Sequence, residues 1–324
     1  MPDLVSGLPK TGALKRGLSS ALQDGGIAER SLSLLGREPT PYATTFPCEI
    51  VTCRIGRGKP RRLFCKYTAG VDYTGHGHRG GVSHEIATYR HILGRTDKFR
   101  PKFYGGYTDS QTGQHWLFLE YLDGSIRVGK LNDPVAMRKT ARWIAQFHLT
   151  SHDFLNNERL HFLKKYDNEY YLGWVSRTID FADISCRKAT WLHRLHTSAE
   201  DFLSPLLALA PSIIHGEFYQ HNILFHNGQV CPVDWESAAV GEGLIDLACL
   251  IDGWESKIAD VCTATYIRTR WPAGAPREFE RILRAARLYI TVRWLGDDPN
   301  FTRSDAALAY WVRLRNLVTE LARA

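Results

Sequence analysis

The amino-acid sequence predicts an α+β fold with two lobes, a small strand-rich lobe followed by a larger helical one. Up to residue 122, runs of β-branched and apolar residues typical of strands alternate with turn residues, and one helical pattern interrupts them. Beyond Asp123-Gly124 the apolar spacing is mostly helical. The 324 residues also exceed what one compact core usually holds. We expect a helical extension over residues 1–36, a small lobe over 37–122 and a large lobe over 123–324.

Each element of this prediction has its own signal. Leucines at helical spacing predict one or two amphipathic helices within residues 12–36, which Pro39 ends. Ser83 is a suitable N-cap, and Gly94 a suitable stop, for a helix between them. The predicted strands are Glu49–Ile55, Arg62–Tyr67, Lys102–Tyr107 and His115–Tyr121, and the first helix of the large lobe is Asp133–His152.

Composition and charge argue against several classes of protein. The formal net charge is +7, but the basic residues are scattered and do not cluster with aromatic ones, so we expect no nucleic-acid partner. No stretch approaches the ~18 apolar residues of a membrane span, and the N-terminus lacks an apolar signal core. The seven cysteines form no CxxC pair, which indicates buried free thiols in a reducing compartment. We therefore expect a cytoplasmic protein without a membrane partner.

The most informative segment for function is Ile213–Phe225, which is followed closely by Asp234-Trp235-Glu236. Phosphoryl transfer needs a carboxylate to orient and deprotonate the acceptor hydroxyl, oxygen ligands for magnesium, and a lysine against the phosphates. Glu217 supplies a carboxylate on a short loop, and Asn222 follows with an amide oxygen. Asp234 supplies a second carboxylate at the end of the next strand. The pattern is that of a magnesium-dependent phosphotransferase.

Three motifs in this region resemble the aminoglycoside phosphotransferase, choline kinase and homoserine kinase superfamily. They read His-Gly-Glu-x-x-x-x-Asn, Val-Asp-Trp-Glu and, at residues 241–248, Gly-Glu-Gly-Leu-Ile-Asp-Leu-Ala. The superfamily has a protein-kinase-like fold, so the resemblance implies a five-stranded antiparallel sheet and one helix in the small lobe. It also implies that Glu217 is the catalytic residue and that Asn222 and Asp234 hold the metal.

The N-terminal part carries the same resemblance further. Lys66, in a strand of the form Leu-Phe-Cys-Lys, stands at the superfamily's phosphate-binding lysine, and Glu85 stands at the position of its ion-pair partner. The segment Glu120-Tyr121-Leu122 resembles the connection between the lobes, so the backbone around Glu120 and Leu122 is expected to receive the adenine. The resemblance implies that Asp246 braces the catalytic loop, and His215 is expected to hold that loop by packing and hydrogen bonding. His148 is expected to be a core or helix-contact histidine.

Glu217 is also the main departure from the superfamily, which has an aspartate there. The extra methylene keeps the basicity of the carboxylate, but a misplacement of ~1 Å can cost on the order of a hundredfold in rate. Three interpretations follow. The loop is adjusted so that Glu217 still acts as the base, or transfer is slower or altered. In the third, the protein is a pseudokinase that binds nucleotide without turnover and acts through partners.

Three further segments leave alternatives open. No GxGxxG precedes Lys66, so Pro41–Pro47 would have to cover the phosphates. The glycine-rich loop Gly75–Gly81 contains two histidines and one arginine, and is either an anion clasp or a flexible surface loop. An acidic run is either a surface for a cationic acceptor or a solvated helix face. Its members are Glu236, Glu242, Asp252 and Glu255.

The sequence therefore predicts an enzyme that moves the γ-phosphoryl group of ATP or GTP, with Mg²⁺, to a hydroxyl of a small molecule. The acceptor could be aminoglycoside-, choline-, sugar- or nucleoside-like, because acceptor pockets in the superfamily come from its variable C-terminal helices. A rival is a nucleic-acid-binding protein, suggested only by the basic charge, whose affinity would depend steeply on salt. The oligomeric state is open between a monomer and a homodimer.

Overall fold

A computed structural model of the protein describes residues 7–26, 31–40, 46–68, 75–96, 98–131, 133–152, 155, 157–182 and 189–323. The chain divides into two compact units. The first comprises Met1–Thr74, Arg79–Ile126 and Cys231–Ser237, and the second comprises Gly75–His78, Arg127–Val230 and Ala238–Ala324. The domain boundaries expected after residues 36 and 122 stay a prediction.

A five-stranded antiparallel sheet forms the centre of the first unit. Its strands are β1 (Leu32–Pro39), β2 (Cys48–Ile55), β3 (Arg61–Tyr67), β4 (Phe103–Thr108) and β5 (His115–Glu120). The spatial order is β1-β2-β3-β5-β4, and each neighbouring pair is antiparallel. Lys66 lies in β3, opposite Cys48 and Leu117 of the two flanking strands. The α+β class and the five-stranded sheet are thereby confirmed.

The first strand corrects the helix expected through residue 36. β1 pairs with β2 from Leu32, opposite Ile55, to Pro39, opposite Glu49, with one irregularity in register. The leucine-rich start of this segment fits a helix or a strand equally well over so few residues. The exposed edge of β2 decides between them, because it offers hydrogen bonds that a short isolated helix would not gain.

Helix α1 (Thr11–Asp24) packs its apolar side against this sheet. Leu14, Leu18 and Leu22 are buried in the same core cluster as Phe118. Burying leucines at this spacing is what stabilises an amphipathic helix of this length, since helix propensity alone is marginal. The amphipathic helix predicted for the N-terminal segment is confirmed in its first half.

Helix α2 (Gly81–His91) differs from its prediction at both ends. Its N-cap is Gly80, so the helix begins before Ser83, and no side chain caps it. It ends before Gly94, because the chain tightens into a 3-10 turn at Leu93–Arg95. The helix itself is where the apolar spacing predicts it.

The second unit is mainly helical, as the apolar spacing beyond residue 124 predicts. Its helices are α3 (Val128–Leu131), α4 (Pro134–Ser151), α5 (Asn168–Phe181), α6 (Thr190–Thr197), α7 (Ala199–Leu203), α8 (Leu244–Ile251), α9 (Ser256–Arg270), α10 (Phe279–Asp297), α11 (Pro299–Thr302) and α12 (Leu308–Leu321). Short 3-10 turns lie at Glu158–Leu160, Ser204–Leu207, Gln220–Asn222 and Asp305–Ala307. The carboxylate of Asp133 caps α4 by accepting the Val135 N–H, which fixes the start of this predicted helix.

Short strands hold the segment that carries the predicted chemistry. They are β6 (Ile126–Arg127), β7 (Lys164–Lys165), β8 (Ser212–Ile214), β9 (Ile223–His226), β10 (Gln229–Pro232) and β11 (Ala239–Gly241). β11 pairs with β8 antiparallel and with β7 in parallel. Asn227 and Gly228 link β9 to β10 with φ angles of 48° and 77°, which a tight hairpin turn requires. The predicted catalytic loop therefore runs from the end of β8 to the start of β9.

Two expectations from composition can be followed in the fold. The cysteines within the described residues are buried free thiols, and Cys186 lies outside those residues. Of the helices that the structure describes, none is long and apolar enough to cross a membrane. The buried thiols are Cys48, Cys53, Cys65, Cys231, Cys249 and Cys262.

Candidate functional site

Lys66 lies within a cluster of three carboxylates in the first unit. Its Nζ donates to Glu85 Oε2 at 2.8 Å, to Asp234 Oδ1 at 2.6 Å and to Glu236 Oε2 at 3.2 Å. Lys66 comes from β3, Glu85 from α2, and the two other acids from the segment that follows β10. The predicted ion pair between Lys66 and Glu85 is present, and Asp234 joins it. The third acid, Glu236, is a contact that the sequence pattern does not assign.

Burial and charge pull in opposite directions at this cluster. Burial lowers the pKa of Lys66, but attraction by Asp234, Glu236 and Glu85 outweighs it, and the pKa lies well above the ordinary value. Burial raises the pKa of Glu85, and the Lys66 ammonium only partly offsets that effect. Both directions are consistent, because two cations, Lys66 and Arg79, face three acids, with Arg79 Nε 3.6 Å from Glu236 Oε1. The lysine is therefore held in its charged form.

Asp234 is the most accessible of the three acids. Its side chain is 39% exposed, against 2% for Glu85 and 4% for Glu236. Asp234 also has a φ of 66°, a left-handed conformation that is uncommon for a residue with a side chain. The next residue, Trp235, is fully buried and donates its backbone N–H to Glu85 Oε1 at 3.2 Å. The buried Trp235 thus fixes the backbone next to a carboxylate that solvent can reach.

The donor chemistry of Asp234 and Asn222 suits magnesium, which prefers carboxylate and carbonyl oxygens. Asn222 Nδ2 donates to the Glu217 carbonyl at 3.1 Å. The donor in this bond is the amide nitrogen, so the amide oxygen is the atom that can bind a metal ion. Among the described residues, no group of three or more His, Cys, Asp or Glu side chains is arranged to hold a metal ion by itself. A Mg²⁺ ion bound by Asp234 would take further oxygens from phosphates or water.

The predicted catalytic loop, in the second unit, holds Glu217 in a tight turn. The Glu217 carbonyl accepts the Tyr219 N–H at 2.7 Å, and the Tyr219 carbonyl accepts the Asn222 N–H at 2.8 Å. Gly216 has a φ of 81°, which only glycine adopts without strain, and it turns the chain away from β8. Glu217 itself is 8% exposed. The turn thus fixes the backbone from which its carboxylate projects.

Two residues that sequence reasoning missed contact the Glu217 carboxylate. Arg293 of α10 donates from Nη1 to Oε1 at 3.1 Å, and His78 Nε2 lies 3.3 Å from the same oxygen. The other ring nitrogen of His78 lies 3.0 Å from the Tyr166 hydroxyl. In the sequence, His78 was indicated only by the composition of the Gly75–Gly81 loop, and nothing indicated Arg293. His78 contacts Glu217 and Tyr166, both in the second unit. Neither an anion clasp nor a flexible surface loop predicts these contacts.

A buried carboxylate braces the start of the predicted catalytic loop. Asp246 accepts the backbone N–H groups of His215 at 2.7 Å and Gly216 at 3.0 Å. His148 Nε2 lies 3.0 Å from Asp246, and its Nδ1 lies 2.8 Å from the Tyr266 hydroxyl. Burial lowers the pKa of His148, more than hydrogen bonding to Asp246 raises it. Asp246 thus braces the loop as the resemblance implies, and His148, expected as a core or helix-contact histidine, is buried beside it.

The segment proposed to receive adenine lies at the end of β5. The Glu120 N–H donates to the Lys102 carbonyl at 2.8 Å, and the Tyr121 N–H donates to the Arg62 carbonyl at 3.0 Å. Leu122 is buried, and its carbonyl accepts the Ser125 N–H at 3.2 Å. Adenine binding by Glu120 and Leu122 stays a prediction. Most of Pro41–Pro47, the segment expected over the phosphates, lies outside the described residues.

Most of the acidic run is neutralised by nearby cations. Besides the pairing of Glu236 with Lys66, Glu242 contacts Arg270 at 3.3 Å, and Asp252 contacts Arg313 at 2.7 Å. Glu242 is buried, which rules out a solvated face at that position. These three acids therefore have internal partners, and they do not form a bare acidic surface.

Comparison with known proteins is consistent with the chemistry of these residues. The profile of the phosphotransferase enzyme family matches residues 78–279, which is more than half of the chain. No curated protein sequence matches the chain significantly. The matched range contains Glu85, Glu217, Asn222 and Asp234, and it begins after Lys66.

Solved structures share the fold at low sequence identity. The GDP complex of aminoglycoside 2'-phosphotransferase-IIIa has a TM-score of 0.66 at 11% identity, over 96% of this chain and 99% of that one. Choline kinase LicA from Streptococcus pneumoniae has a TM-score of 0.59 at 14% identity, over 96% and 99%. A microcompartment-associated aminopropanol kinase has a TM-score of 0.60 at 16% identity, over 89% and 90%. These similarities confirm the predicted kinase-like fold.

Proposed function

We propose, from the premise that this chain belongs to the phosphotransferase enzyme family, that it moves a γ-phosphoryl group from ATP or GTP to a hydroxyl of a small molecule. The observation that carries the proposal is the Lys66 ammonium held by Glu85 and Asp234 at 2.8 Å and 2.6 Å. A charged lysine beside an accessible carboxylate is what binding of a metal-bound triphosphate requires.

Each side chain then has one task. Lys66, held in place by Glu85, would contact the α- and β-phosphates, and Asp234 and Asn222 would hold Mg²⁺. Bound Mg²⁺ neutralises charge on the phosphates. Glu217 would orient the acceptor hydroxyl and accept its proton. Catalysis of this kind depends mostly on positioning and charge neutralisation, so the fixed turn around Glu217 supports the assignment.

The nucleotide and the acceptor are narrower questions. Solved relatives are complexes with GDP and with AMP, which supports a nucleotide co-substrate without choosing its base. Their names include kinases of aminoglycosides, choline and aminopropanol, so an alcohol acceptor is supported as a class. Glu242 is paired with Arg270, and Asp252 with Arg313. These ion pairs argue against a polycationic acceptor bound by the two acids.

A screen for nucleotide diphosphate release tests the proposal. The purified protein is incubated with Mg²⁺, ATP or GTP, and a panel of hydroxylated metabolites and antibiotics. We expect at least one acceptor to raise diphosphate release well above the background without acceptor. Asp234→Ala should lower that release by at least about a hundredfold, because loss of a metal-binding carboxylate removes charge neutralisation in the transition state.

The alternative, a protein that binds nucleotide without turnover, is favoured by one observation: the expected aspartate is a glutamate paired with Arg293. Binding measured by calorimetry separates the two functions. Mg²⁺-nucleotide binding with no release on any acceptor supports the alternative. Absence of both binding and release at millimolar nucleotide contradicts both.

A further inference from the structure

Arg293 is a fully buried cation that contacts the catalytic loop twice. Its Nη1 donates to Glu217 Oε1 at 3.1 Å, and its Nη2 donates to the Tyr219 hydroxyl at 2.8 Å. The neighbouring Trp294 donates its indole N–H to the same hydroxyl at 2.7 Å. Helix α10 therefore holds two loop residues through one guanidinium. Such a two-pronged contact fixes direction as well as distance, which a single charge does not.

This arginine needs a negative partner. A buried guanidinium without one would be costly, and among the described residues Glu217 forms an ion pair with it. Its Nε finds no hydrogen-bond partner in that part of the chain, so the contacts through Nη1 and Nη2 account for its hydrogen bonding. Arg293 and Glu217 thus depend on one another for charge compensation.

The length of the glutamate side chain sets this contact. The Glu217 backbone is fixed by the Tyr219 N–H and the Asn222 amide, which both donate to its carbonyl. An aspartate on the same backbone would withdraw its carboxylate by about one C–C bond, roughly 1.5 Å. That would stretch the 3.1 Å contact with Arg293 beyond hydrogen-bonding distance. The guanidinium therefore matches a glutamate and not an aspartate at position 217.

We propose that Arg293 is the positioning residue for Glu217, and that the two form a matched pair in which the guanidinium holds the longer side chain where the acceptor hydroxyl binds. This inference rests on the proposed phosphotransferase function. His78, 3.3 Å from the same Oε1, approaches as a second neighbour and limits rotation of the carboxylate. The departure from aspartate is then compensated by α10 and leaves the chemistry intact.

Steady-state kinetics with the acceptor found in the screen test the pair. Arg293→Met should lower kcat by about a hundredfold with less than about threefold change in the KM for nucleotide, because only the carboxylate loses its position. The kcat of Arg293→Lys should be at least about tenfold higher than that of Arg293→Met, because lysine restores a positive charge. Glu217→Asp should cost about a hundredfold in the natural background and less than about tenfold when Arg293→Met is already present. Arg287→Met, an exposed change on the same helix, should leave kcat unchanged.

Thermal unfolding separates positioning from loss of the fold. Glu217→Gln should lower Tm by at least about 5 °C, because it leaves the buried Arg293 cation unpaired, and adding Arg293→Met should restore at least half of that loss. A folded Arg293→Met protein with unchanged kcat overturns the inference while the proposed function stands. Additive effects of the two substitutions on kcat also overturn it. A natural protein that turns over no acceptor overturns the proposed function, and the inference with it.

Discussion

Lys66 and Arg79 carry two positive charges among three carboxylates, so the ionised cluster keeps a net excess of negative charge. Burial raises the pKa of Glu85, the least accessible acid, and the negative charge of Asp234 raises it further. A divalent cation that binds Asp234 would reduce this excess, since Asp234 is the acid that solvent reaches. The cluster is therefore suited to binding a metal-nucleotide complex.

Replacement of this lysine tests its structural and functional roles together. We expect Lys66→Met to lower the free energy of unfolding by about 3 kcal/mol, because buried acids lose their cation. Nucleotide affinity measured by calorimetry should fall at least about tenfold. Lys102→Met, which removes an exposed ammonium from the same unit, should change the free energy of unfolding in urea by less than about 0.5 kcal/mol. Equal effects of the two substitutions would contradict the assignment.

The sequence predicts residues well where chemistry and spacing coincide. The pairing of Lys66 with Glu85 follows from a motif order, and the turn from Glu217 to Asn222 follows from a short spacing. Arg293 could not be predicted in this way, because its distance to the loop is set by the packing of a whole helix. His78 had only the signal of its glycine-rich surroundings, which does not indicate a partner.

At the scale of elements, helix α1 depends on a close approach to the sheet. A Cβ added to Gly17 would lie 2.4 Å from a ring carbon of Trp116, far inside van der Waals contact. Trp116 is 2% exposed and packs edge-on against Tyr67, so it has little room to move. Gly17 is therefore the residue that lets the helix lie flat on β4 and β5.

Two glycines of the same helix provide a matched test of this packing. Gly17→Ala should lower the free energy of unfolding by about 1–3 kcal/mol, because overpacking outweighs the gain in helix propensity. Gly12→Ala should be neutral or stabilising by up to about 1 kcal/mol, since its nearest neighbour lies 3.8 Å away at Arg16. Chemical denaturation of both variants gives the comparison. A stabilised Gly17→Ala protein would mean that the helix is not in contact as described.

Strand β1 shows the limit of prediction at this scale. Its leucines satisfy a helical spacing, and only pairing with β2 selects the strand. Helix α2 has its N-cap three residues before the predicted Ser83, because the cap is Gly80, which offers no side-chain signal. The sequence predicts the type of an element where a long apolar pattern exists. The prediction fails where pairing with a neighbouring strand determines the type.

At the scale of the whole molecule, buried titratable groups link stability to pH. His148 is fully enclosed between Asp246 and Tyr266, and Arg270 lies close enough to disfavour its charged form. Its folded-state pKa is lowered, so the unfolded chain binds the proton more readily than the folded one. The stability contributed by neutral His148 is therefore complete above pH ~6.5 and is lost progressively as the pH falls below that value.

Unfolding free energies at pH 7.5 and pH 5.5 test this linkage. The natural protein should lose stability on acidification with a slope of up to about 1.4 kcal/mol per pH unit from this group. His148→Gln should be less stable at pH 7.5, because it loses one of two buried hydrogen bonds, but its further loss by pH 5.5 should be smaller. Equal losses in the two proteins would show that another group controls the acid response.

The global architecture is the best-predicted level of all. The order of a strand-rich part followed by a helical part, the five-stranded sheet and the kinase-like fold all follow from the sequence and its resemblance. The assignment of Cys231–Ser237 to the first unit does not follow from the sequence. Nothing in the local spacing indicates that these seven residues belong to a different unit from the residues on either side of them.

That excursion has a consequence for how the protein can be divided. A polypeptide ending at Ile126 would contain Lys66 and Glu85 but would lack Asp234 and Glu236, which are contributed by a segment about a hundred positions later. This N-terminal fragment would thus expose an ammonium that lacks two of its three anionic partners. Truncation of the gene after Ile126 breaks the very cluster that it aims to isolate, and only the uninterrupted chain contains all of its members.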